Sequence, residues 1–102
     1  MSDDEIDVEF RRVADAFIDQ ANKHAETVKR EHVGMALLYA AARFNAFVVA
    51  AHAPHVEKFD AERGKAVEFF RAEYERMLEE NLDDYRGIYD VPDADEEPPP
   101  SH

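Results

Sequence analysis

The sequence predicts an all-α fold: an antiparallel three-helix bundle with an apolar central helix and a disordered acidic, proline-rich C-terminal tail. Three observations carry this reading. Two stretches repeat apolar residues every three or four positions, the stretch between them is apolar nearly throughout, and strand-like alternation is lacking. At 102 residues the chain has room for one domain. The helices are expected at about 4–25, 29–52 and 56–85, making residues 1–86 the domain and 87–102 the tail.

In the first helix Ile6, Phe10, Val13, Phe17 and Ala21 form a single apolar stripe. Ser2 and Glu5 match a capping box, and the acids of the first turn suit the positive end of the helix dipole. Asp7 with Arg11 and Asp19 with Lys23 have the spacing of i,i+4 ion pairs. Thr27 is a candidate N-cap for the second helix.

The second helix is the unusual element. From Val33 to Ala51 only Gly34, Arg43 and Asn45 are not apolar. At 100° per residue, Val33, Leu37, Phe44, Phe47 and Val48 gather on one side. Met35, Leu38, Ala42, Ala46 and Val49 gather on nearly the opposite side. A helix apolar on two sides is normally covered on both. Two single-faced neighbours leave little to cover the second face, so a homodimer is expected, with Met35, Leu38, Ala42, Ala46 and Val49 as the self-association face. Arg43 and Asn45 are expected to be buried polar residues, Arg43 paired with Glu73 or a carboxylate of the first helix. The run is long enough to cross a bilayer, but Arg43 at mid-span and the many alanines argue against a membrane span.

Pro54 ends the second helix, because proline disfavours helical geometry in the residue before it. Val56, Phe59, Ala66, Val67, Phe70, Tyr74, Met77, Leu78 and Leu82 make the stripe of the third, which Gly87 is placed to end through a Schellman motif with Ile88. The remainder, rich in acids and prolines, cannot bury enough apolar surface to offset its ordering entropy.

The net charge of −12 resides mainly at the ends. Residues 1–9 hold five acids and no base, and residues 83–102 hold seven acids and one arginine. Such a chain repels phosphates, so neither nucleic acid nor an anionic membrane is an expected partner. The lack of cysteine and the acidic N-terminus fit a cytoplasmic protein without a secretory signal.

Catalytic machinery is not found. Ser2, Ser101 and Thr27 have no base or oxyanion donors arranged around them, and Gly34, Gly64 and Gly87 form no phosphate loop. His52 and His55 are the metal-ligand candidates by their H-x-x-H spacing, but Pro54 between them prevents both from projecting off one helical turn. Asp15/Asp19 and Glu75/Glu79 read as solvated helix faces. No cofactor is expected.

The segment Leu38-Tyr39-Ala40-Ala41-Ala42-Arg43-Phe44-Asn45-Ala46-Phe47 and the stretch from Tyr74 through Met77-Leu78-Glu79-Glu80-Asn81-Leu82-Asp83-Asp84-Tyr85 resemble a family of short bacterial helical proteins catalogued as a domain of unknown function. The resemblance covers about residues 5–85 and implies a bacterial cytoplasmic origin, but it supplies no activity, cofactor or catalytic residue. The function expected from the residues is a non-enzymatic protein–protein interaction module that self-associates through its second helix. Two alternatives stand beside it: a protein binding a metal or small ligand, and an acidic nucleic-acid mimic that engages a basic protein.

Overall fold

A computed structural model describes the backbone of residues 3–90 and the side chains from Glu5 onward. It contains three helices, α1 (Asp3–His24), α2 (Arg30–Ala51) and α3 (Val56–Arg86), followed by a 3-10 turn at Gly87–Asp90. No strand occurs among the described residues. The all-α class is as expected, and every helix boundary falls within one residue of the position read from the periodicity.

Local chemistry explains where the helices stop. After α1, the amide of Val28 donates to the carbonyl of His24, and that of Thr27 also reaches His24. Thr27 therefore lies inside the turn and is not the N-cap of α2. That position falls to Lys29, whose carbonyl accepts from the amides of His32 and Val33. Ser2, the expected cap of α1, lies outside the described residues. Asp7–Arg11 and Asp19–Lys23 form no ion pairs among the described residues. Arg12 pairs with Glu9 instead.

At the second turn His52 shares its amide between the carbonyls of Val48 and Val49, and Ala53 closes on Ala50 before Pro54. His55 then adopts an extended backbone (φ −148°, ψ 163°) and caps α3, its ring Nδ1 accepting from the amide of Lys58 at 3.4 Å.

The end of α3 departs from expectation. Gly87 keeps a right-handed helical backbone (φ −60°, ψ −24°), so no Schellman turn forms. Its amide donates to Asp83, and the chain tightens into the 3-10 turn. Arg86 ties that turn back to the helix through Asp90 at 3.1 Å. Gly87–Asp90, assigned to the tail by composition, is thus a structured extension of α3. Residues 91–102 lie outside the described ones.

The described residues fall into two units. One holds α1 with α2 as far as Ala41, and the other holds α2 from Ala42 together with α3. In neither unit is any residue buried. Packed helices ordinarily stand 8–10 Å apart axis to axis, yet no Cα of Ala42–Ala51 comes within 8 Å of one in α3. Between the two helices of this unit lies an open groove.

Candidate interaction surface

Each unit carries its own groove. In the first, Phe17 and Ala21 of α1 face Val33, Ala36, Leu37 and Ala40 of α2 across about 380 Å3, with His24 and His32 at the turn end. In the second, Ala42, Asn45, Ala46 and Val49 face Phe59, Ala66 and Phe70 across about 510 Å3, and Arg63 is the one charged residue in the lining. A neighbouring groove of about 570 Å3 shares Val49, Ala66 and Phe70 and adds Lys58, Lys65, Glu62 and His52.

These grooves divide the two apolar faces of α2. Val33 and Leu37, from the first face, line the groove with α1, whereas Phe44 and Phe47 from the same face stay 64% and 62% exposed. Ala42, Ala46 and Val49, from the second face, line the groove with α3. Met35 and Leu38 from that face remain 65% and 40% exposed. The expected self-association face is therefore not one continuous free surface, because its C-terminal half is the floor of a groove shared with α3.

Arg43 and Asn45 require a correction. Arg43 is exposed in the single chain and makes no ion pair among the described residues, while Asn45 is half-buried. The expected partner Glu73 is engaged elsewhere. Arg76 donates from Nε to Glu73 Oε2 at 3.1 Å and from Nη1 to Glu80 Oε1 at 3.0 Å. The hydrogen bond from Arg76, with the attraction of its charge, holds the Glu73 carboxyl below its ordinary value, and the two carboxylates hold Arg76 protonated more firmly than usual. An arginine on a helix surface, flanked by acids at i−3 and i+4, satisfies itself locally.

His55 is occupied at the start of α3, where its Nδ1 also lies 3.2 Å from Glu57 Oε2. The same nitrogen cannot accept from Lys58 and donate to Glu57 together, so the two contacts are alternatives. Among the described residues no three histidines or carboxylates gather as a metal site. Asp15, Asp19, Glu75 and Glu79 all face solvent.

Sequence reasoning missed the charged lining of the neighbouring groove. Lys58, Glu62 and Lys65 recur at steps of four and three alongside Ala66, Phe69 and Phe70, which was the available signal.

A model of the family described as "Protein of unknown function (DUF3144)" matches residues 10–86. The chain belongs to this family. The match spans all of α2 and α3 and most of α1, so the grooves lie within the region that defines DUF3144. No curated protein and no solved structure matches the chain.

Proposed function

We propose that this DUF3144 member is a non-enzymatic protein–protein interaction module of the bacterial cytoplasm whose first partner is a second copy of itself, engaged through α2. One observation carries the reading: of the large apolar side chains described, none is buried, and residues on both faces of α2 are open. Large apolar side chains left open on this scale are a liability in a chain that stays alone and a driving force in one that associates.

The experiment is co-expression of tagged and untagged copies. The reading predicts that the untagged copy is retained with the tagged one at high salt. Its complete loss on washing would overturn self-association.

A second reading has one observation in its favour: α2 is 22 residues long and holds an 18-residue stretch of mean hydropathy 1.6, enough by length and composition to cross a membrane. Arg43 would then sit near mid-bilayer at a cost of about 2.5–3.5 kcal/mol. Ala42, Ala46 and Val49 moreover already have groove partners on α3. Lysis without detergent separates the two, since an interaction module stays in the supernatant after ultracentrifugation and a spanning helix sediments with the membranes.

A further inference from the structure

We infer that the occupant of the groove between α2 and α3 is the N-terminal half of α1 from a second copy, so that two chains exchange acidic α1 segments reciprocally. The inference rests on the self-association reading above and names the surfaces that meet.

The groove supplies the first half of the argument. Its floor is apolar, built from Ala42, Ala46 and Val49 of α2 with Phe59, Ala66 and Phe70 of α3. Small residues on the α2 side leave room for a helix to approach closely. Arg63 lines the groove, and Lys58 and Lys65 line the neighbouring groove that shares Val49, Ala66 and Phe70, where Glu62 is the one acid. None of these three cations forms an ion pair among the described residues. A cationic rim is unusual in a chain of net charge −12, and it selects an acidic, amphipathic occupant.

The chain carries such a segment. Ile6, Phe10 and Val13 lie on one side of α1, and they are 50%, 68% and 40% exposed. At 100° per residue Asp7 flanks this stripe on one side and Glu9, which docking would share with its neighbour Arg12, on the other, while Arg11 projects from the rear. Apolar anchors at i, i+4 and i+7 with acids on both flanks are the complement of an apolar floor with cations along its edges. Because each chain bears one groove and one α1, a two-fold axis lets both contacts form at once and closes the assembly.

Charge reversal tests the pairing. One variant carries Lys58→Glu, Arg63→Glu and Lys65→Glu; the other carries Asp7→Lys and Glu9→Lys. Each alone sets like charges together and is expected to weaken self-association on the order of 100-fold. Mixed, the two variants regain both contacts and are expected to form a heterodimer by light scattering and native mass spectrometry. Packing of α1 within its own chain would not produce that rescue. Two variants that dimerise like the wild type would overturn the docking and leave self-association standing. Two monomeric variants that fail to combine would overturn it as well, and a monomeric wild type would overturn both readings.

Discussion

The rings of Phe44 and Phe47 lie 5.8 Å apart at an interplanar angle of 51°, and each is more than three-fifths exposed. Two phenylalanines one helical turn apart on an open face form half of a contact. Under the proposed self-association, folding is coupled to association and stability depends on concentration. The thermal midpoint is therefore expected to fall on tenfold dilution, as followed by circular dichroism. A midpoint independent of concentration, with a sharp transition, would mean that the single chain holds its own fold.

Gly64 sits in the interior of α3, and a Cβ built there meets nothing within 4 Å. Gly64→Ala should raise stability by up to about 1 kcal/mol through the lower backbone entropy of alanine in the unfolded state and its better helix propensity. Denaturation of the variant at matched concentration checks this, and a loss of stability would place a neighbour against that position.

His55 caps α3 with a long 3.4 Å hydrogen bond, a task that a short carboxylate performs better. His55→Asp should stabilise the chain by about 0.5–1 kcal/mol through the cap and the helix dipole together. His55→Ala should destabilise it modestly. Equal midpoints for both variants would show that the cap contributes nothing.

The Glu73–Arg76 pair sets a pH dependence whose sign is fixed. Arg76 depresses the carboxyl of Glu73 in the folded chain, so the unfolded chain binds that proton more readily. The contribution is complete above the ordinary carboxylate value and is lost as the pH falls through the depressed one. Arg76→Ala should return the Glu73 titration to the ordinary range, read by NMR of its side-chain carboxyl. A titration unchanged by the substitution would remove Arg76 as the cause.

The helices were legible because apolar spacing and Pro54 act locally, and local rules place a helix wherever its ends are chemically marked. The surroundings of Arg43 were not legible. Periodicity says which residues share a face of α2 but not whether another helix closes over that face, and here the side of Arg43 is left to solvent. Gly87 misled for a related reason, since its freedom to turn left-handed is unused when the Arg86–Asp90 pair favours one more right-handed turn. Of the candidate surface, the small residues Ala42 and Ala46 were visible as a face. Their division between a groove with α3 and open positions at Met35 and Leu38 depends on tertiary placement.

The solution mass tests the central claim most directly. Multi-angle light scattering over a range of concentrations should give twice the chain mass of 11.7 kDa at the upper end, falling only on strong dilution. A mass of 11.7 kDa throughout, with the chain still helical and cooperatively folded, would contradict the account.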